Sequence, residues 1–236
     1  MDTLIQLLQE KGISLNEKQS QQFDTYYQLL MEWNKRVNLT AIIEKKEVMI
    51  KHFYDSLTAA FFVTFKEGQT LCDVGSGAGF PGIPLKILYP GLRLTIVDSL
   101  RKRLDFLDEV KNQLRLEDVS LYHDRAETFA HRPEMREKFD WVTARAVANL
   151  TVLVEYCLPL VRLDGTFIAL KGSHAGAEAV EAKQAIHKLG GLIDQQIDLT
   201  LPEENGQRSI ILIKKEQWTP EKYPRKPGTP LRKPLK

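Results

Sequence analysis

Apolar positions change their spacing along the chain. Over the first 65 residues they recur every three or four positions, so that Phe23, Tyr26, Leu30, Trp33 and Val37 fall on one face of a helix. Ser14 followed by Glu17 has the spacing of a capping box and predicts where that helix begins. A second helical stretch is predicted over about 44–63. From Thr70 onward short apolar runs alternate with helical patterns: TLCDV then LKIL, LTIVD then LDFLDEVKNQL, VSLY then a short helix. FDWVTA then precedes LTVLVEYCLPLV, and GTFIAL precedes a helix over about 175–189. Two more strands are predicted near 192–199 and 208–214, joined by a short turn holding Pro202, Asn205 and Gly206. The alternation predicts an α/β fold: a largely parallel seven-stranded sheet with helices on both faces and a last, antiparallel hairpin at its edge. Beyond Trp218, prolines at 220, 224, 227, 230 and 234 predict an extended tail. The chain thus divides into a helical cap (1–65), an α/β core (66–216) and a basic, proline-rich tail (217–236).

Composition narrows the class. The chain has 236 residues, 43% of them hydrophobic, which suffices for one well-buried domain. Cys72 and Cys157 cannot build a disulfide framework and match no zinc spacing, and the five histidines show no ligand spacing, so no metal is expected. The N-terminus mixes charged and apolar residues, unlike a signal peptide, and no window approaches the ~20 apolar residues of a membrane span. A soluble cytoplasmic protein, expected to be a monomer and to need no membrane, fits these features.

Net charge is only +2 but is unevenly placed: eight Lys/Arg and two Glu lie from Lys214 onward, a net of +6, which leaves −4 for the rest. Such a tail either meets an anionic partner or is a solvated extension.

The sharpest motif is DVGSGAGFPG, residues 73–82, between an apolar run and a helical stretch. Glycines there let the backbone turn tightly and meet a ligand with no Cβ in the way. Gly77, Gly79 and Gly82 match the dinucleotide pattern G-x-G-x-x-G, but Asp73 argues against a pyrophosphate and for a cationic ligand such as S-adenosylmethionine. Asp98, ending the next strand, is placed either to accept ribose hydroxyls or to cap the following helix. HDRAE, residues 123–127, follows the third strand, where Asp124 or Glu127 could meet an adenine edge.

Several segments together resemble one family. WNKRVNLTAI (33–42), HFYDSL (52–57), DVGSGAGFPGIPLKI (73–87), HDRAE, TARAVANL (143–150), LKG (170–172) and YPRKPGTPLRKPL (223–235) are similar to the RsmG, or GidB, family of bacterial methyltransferases that form 7-methylguanosine in small-subunit ribosomal RNA. The resemblance implies a class I, Rossmann-like methyltransferase sheet with an N-terminal helical extension. It also implies S-adenosyl-L-methionine as donor, S-adenosyl-L-homocysteine as product, and a guanine N(7) near the decoding region of 16S ribosomal RNA as target. By resemblance Gly75, Phe80, Ala126, Glu127 and Arg145 bind the donor; Asp73, Gly77, Gly79 and Asp98 join them from the reading of the motif. Arg145, at the end of strand four, is expected to position reactants, and no catalytic base is identified. Arg101 and Lys102, opening a helix where cations oppose the dipole, are candidates for RNA phosphates, as are Lys171, Arg225 and Lys226. Trp33 and Phe53 could stack on a base, but their helical spacing favours the core. Rival readings are a nicotinamide-dependent dehydrogenase, a non-catalytic ribosome-binding protein, and a methyltransferase for another substrate.

Overall fold

The computed structural model describes residues 1–235. Seven strands form one sheet: β1 (Thr70–Val74), β2 (Arg93–Asp98), β3 (Val119–His123), β4 (Phe139–Arg145), β5 (Val161–Lys171), β6 (Gly191–Thr200) and β7 (Gln207–Lys215). Their spatial order is β3-β2-β1-β4-β5-β7-β6. All neighbours pair in parallel except β7, which runs antiparallel to both β5 and β6. The predicted hairpin is present, but it inserts its second strand inward and leaves β6 on the edge. The order reverses between β1 and β4, and a crevice opens beyond the carboxyl ends of the strands at such a switch point.

Alternation along the strands builds two cores. On β5 and β7, Ile168, Leu170, Ile210 and Leu212 face one layer, while Phe167, Ala169, Ile211 and Ile213 face the other. The first layer is covered by α1 (Asp2–Gln9), α2 (Glu17–Val37), α5 (Gly82–Leu88) and α6 (Arg101–Gln113). A winding helical segment joins them, made of α3 (Lys45–Val48), a π-helical turn (Met49–Tyr54), α4 (Asp55–Leu57) and a 3-10 turn (Thr58–Phe61). Residues 1–65 therefore share the apolar core of that sheet face. The second layer holds α7 (Ala126–Phe129), α8 (Leu150–Cys157) and α9 (Ala175–Lys188). α9 presents Ala175, Ala179, Ala182 and Ala185 inward, small side chains that let its backbone lie close.

Local chemistry sets the element ends. α2 starts at a capping box, but its members are Asn16 and Gln19, not Ser14 and Glu17. Asn caps as well as Ser. The shifted register also lets the Gln19 amide donate to the carbonyls of Ile87 and Leu88 at the end of α5. Phe53 is fully buried, and Trp33 packs on Phe106 and donates to Glu109, so both expected core residues serve packing. The tail departs most from expectation. Tyr223 and Leu235 are buried against the second layer, Thr229–Arg232 forms a helical turn (α10), and Arg136 donates to the carbonyls of Thr219 and Tyr223.

The cap and the glycine loop meet at one hydrogen bond, from the Tyr26 hydroxyl to the Ala78 carbonyl, both buried. Tyr26→Phe leaves that carbonyl unsatisfied and should lower the unfolding free energy by about 1–3 kcal/mol. Urea denaturation measures it; an unchanged midpoint and slope would show that the bond is dispensable.

Candidate functional site

The loop after β1 is held from beneath by Asp73, which is fully buried. Its Oδ2 accepts the Ser76 hydroxyl at 2.6 Å and the Gly82 amide at 2.8 Å. A Cβ at Gly82 would lie 2.7 Å from that oxygen, so glycine is required there. Burial pushes the Asp73 carboxyl up to about 6, opposed by the Ser76 and Gly82 hydrogen bonds and by Arg145. Its Oδ1 is buried with no hydrogen-bond partner among the described residues. Asp73 thus organises the turn and does not line the cleft above it, contrary to the expectation of a ligand-facing carboxylate. Gly75 has φ +69°, and a Cβ there would meet Val147 at 2.7 Å, so bare backbone lets the loop abut the segment leaving β4.

Two cavities flank that segment, 145–147. The first, of about 170 Å³, is lined by Gly75, Asp98, Ser99, Asp124, Ala126 and Glu127, with Val147 and Tyr156 on its apolar side. Its charged walls are three carboxylates and the single guanidinium of Arg125. Asp124 also pairs with Arg132 and Asp98 with Arg103, so it is the carboxylate oxygens on the wall, not a net negative charge, that suit a ligand carrying a sulfonium and an ammonium. Asp98 combines capping with a place on the cleft wall. Its Oδ1 accepts the Leu100 amide just before α6, and its Oδ2 accepts the Gly77 amide at 3.0 Å and a long contact from Arg103 at 3.4 Å. A carboxylate has about four lone-pair sites, so capacity for a hydroxyl remains. Gly77 is half-buried and a Cβ there would face open space, whereas Gly79 is buried and a Cβ there would strike the Tyr26 hydroxyl at 2.5 Å. The donor set therefore fits an adenosyl sulfonium ligand.

The second cavity, of about 450 Å³, is lined by His52, Asp55, Arg145, Lys171, Glu178 and Arg208, among others. Arg145 belongs to this cavity, with Nη1 3.1 Å from Asp55 Oδ2 and its guanidinium over the Phe80 ring. Phe80 is buried and stacks on the His52 ring at 4.7 Å, so it supports the site from below. His52 bonds Thr40 Oγ1 through Nε2, while its Nδ1 is buried without a partner among the described residues. Burial first, and Arg145 second, lower the His52 imidazole to about 4. Lys171 is tied to Glu178 at 2.7 Å and to the Ala148 carbonyl. Asp55, His52 and Arg208 were not foreseen from the sequence; HFYDSL carried the first two without a role, and nothing marked Arg208.

The tail closes the first cavity. Gly228 and Leu231 line it, and the Gly228 amide donates to Glu127 at 2.8 Å. Upstream, Arg225 grips the fully buried Glu155, with Nη2–Oε2 at 2.6 Å and Nε–Oε1 at 2.9 Å. Lys215 is likewise buried, donating to Glu137 and to the Leu158 carbonyl. Arg225, expected to meet RNA, is thus engaged inside the protein, whereas Lys226 is exposed. Arg101 is paired with Asp105 on the surface, and Lys102 is exposed.

Arg225→Ala leaves Glu155 buried and unpaired, a change that costs roughly 3–5 kcal/mol in comparable pairs. It should undock the tail and expose the Lys222–Tyr223 and Arg232–Lys233 bonds to trypsin; a variant as resistant as the wild type would argue against the anchor. Acid sensitivity tests His52. The unfolded imidazole takes up a proton between about pH 6.5 and 4 while the folded one does not, so stability is lost as pH falls through that window. His52→Gln should remove up to about 3 kcal/mol of that loss, read from denaturation at pH 7 and pH 4.5. An equal acid loss in both proteins would contradict it.

Comparison with known proteins places the chain. The family model for rRNA small subunit methyltransferase G (GidB) matches residues 19–210. The ribosomal RNA small subunit methyltransferase G of Bacillus licheniformis is 56% identical over 228 residues, covering 97% of this chain and 95% of the relative. That of Halalkalibacterium halodurans is 56% identical over 230 residues, covering 98% and 97%. Among solved structures, ribosomal protein L11 methylase from Lactobacillus delbrueckii superposes with a TM-score of 0.54 at 18% identity, over 71% of this chain and 79% of that one. A SAM dependent methyltransferase from Aquifex aeolicus does so with a TM-score of 0.53 at 14% identity, over 72% and 93%. These two likenesses establish the fold. The acid-lined cleft, the bare-backbone turn and the near full-length identity agree: the chain belongs to the ribosomal RNA small subunit methyltransferase G (GidB) family.

Proposed function

We propose that this protein transfers a methyl group from S-adenosyl-L-methionine to N(7) of a guanine in 16S ribosomal RNA, in the decoding-region loop, and does so in the cytoplasm. The observation that carries this reading is the pairing of an acid-lined cleft with a cationic cavity across residues 145–147. When bound, S-adenosyl-L-methionine supplies an electrophilic methyl on a sulfonium. The residues to hold it are Gly75, Asp98, Ala126 and Glu127, with Gly228 and Leu231 as the outer wall. Asp98 is the acceptor for ribose hydroxyls, and the peptide groups after β3 are suited to an adenine edge.

Guanine N(7) carries a lone pair in the ring plane and no proton, so no side chain has to act as base. The protein has to hold the acceptor in line and keep water out, a contribution of positioning and fixed electrostatics. Arg145 serves as a positioning residue: with Asp55 beside it and Phe80 beneath, its guanidinium is fixed at the end of β4. His52, uncharged at neutral pH, adds no further positive charge where the purine becomes cationic. Exposed cations at Lys102 and Lys226 are suited to RNA phosphates at the rim.

Mass-spectrometric mapping of methylguanosine in ribosomal RNA, from cells with and without this protein, tests the assignment. One 7-methylguanosine in 16S ribosomal RNA should vanish without the protein and return with it. Identical maps would overturn the reading. Asp98→Asn should raise the dissociation constant for S-adenosyl-L-homocysteine about tenfold or more, as loss of a charge-assisted hydrogen bond predicts.

A further inference from the structure

In the second cavity two guanidiniums share one directly bonded carboxylate, with the buried Asp73 a more distant negative charge near Arg145. Asp55, 4% exposed, is one carboxylate serving two guanidiniums. Arg145 Nη1 lies 3.1 Å from its Oδ2, and Arg208 Nε lies 3.1 Å from each of its oxygens. The other cations on these walls have anions of their own: Lys171 pairs with Glu178, and Lys51 with Glu47. The cluster of Asp55, Arg145 and Arg208 therefore carries a net single positive charge at 5%, 12% and 25% side-chain exposure. Sequestering an unbalanced charge is costly unless a counter-charge arrives.

The donors left over point the same way. Arg208 gives Nε to Asp55 and Nη1 to the Gln207 carbonyl, and its Nη2 has no acceptor among the described residues. Arg145 gives only Nη1 to acceptors. None of these spare nitrogens is among the sealed, unpartnered atoms, so they are open to the cavity they line. Register puts both arginines at one edge of the sheet: Arg145 pairs with Leu170, Lys171 with Ser209, and Arg208 lies one residue further out.

We propose that Arg208, oriented by the Asp55 carboxylate it shares with Arg145, binds a phosphodiester of the RNA strand that carries the target guanine. Arg208 is a binding residue for substrate and Asp55 a positioning residue. The proposal rests on the ribosomal RNA reading above and names which part of the substrate this cavity takes. One phosphate gives Arg208 an anion of its own, and the planar guanidinium matches the phosphate oxygens in pairs. A carboxylate on the methyl donor has the same anionic chemistry. However, β7 stands three places from β1 in the sheet. At ~4.8 Å per strand that is roughly 14 Å from the glycine loop, which favours the RNA for Arg208.

The test compares wild type with Arg208→Gln and Arg208→Lys, using small subunits that lack the modification and, separately, S-adenosyl-L-homocysteine. Melting curves report folding. For Arg208→Gln the subunit affinity should fall about tenfold, and the slope of log affinity against log salt should flatten by about one. The affinity for S-adenosyl-L-homocysteine should stay within about twofold. Arg208→Lys keeps the charge but loses the fork, so affinity should drop with the slope retained; it carries the test if the Gln variant fails to fold. Wild-type affinity and slope in a folded variant would overturn the proposal. A fall in S-adenosyl-L-homocysteine affinity with normal subunit binding would overturn it too, giving the charge to the donor's carboxylate. Failure of the function itself is distinguishable, because wild type would then not methylate the subunits at all.

Discussion

Asp73 Oδ2 receives the Ser76 hydroxyl and the Gly82 amide together, and the ligand edge of the sheet takes its shape from that pair of hydrogen bonds. They bend the chain back over the end of β1, start α5 and hold Gly75 where it abuts Val147. Tyr26, from the N-terminal helices, locks the same turn from outside through the Ala78 carbonyl. The cap is thus part of the site's rigid support, and its aromatic residues continue the packing into Phe80 and His52.

Upon this frame the protein separates charge by place. Carboxylates gather over β1, β2 and β3, and guanidiniums over β4 and β7. A cationic small molecule and a polyanion can then approach the same sheet edge without competing for one surface. The stretch from Arg145 to Val147, with Ala146 at φ 56°, contributes to the walls of both regions. Asp98, Asp124 and Glu127 line the cleft, and Asp73 does not.

Period-two and period-3.6 patterns made the strands and helices legible, because they reflect burial on a face, a local property of sequence. Glycine spacing exposed the turn for the same reason: a positive φ constrains residue type on the spot. Direction was not legible. A carboxylate at a strand tip can point up to a ligand or down to its own loop, and only the position of Gly82 decides. Long-range pairs were hidden as well, since Asp55 and Arg208 are separated by 153 positions and Glu155 and Arg225 by 70. One sequence signal did bear on the tail. Glu155 stands inside the apolar run LTVLVEYCLPLV, and a charge at a core position requires a partner somewhere. That requirement points to a docked tail, where proline content alone suggested an extended one.

The docked tail has a consequence for how the molecule comes into being. Gly228 contacts Glu127 from 101 positions downstream, and Leu231 lies further still. Synthesis proceeds from the other end, so every strand exists before the outer wall of the cleft has been polymerised. The outer wall of the cleft and part of the second core therefore form only when this last stretch of the described chain docks.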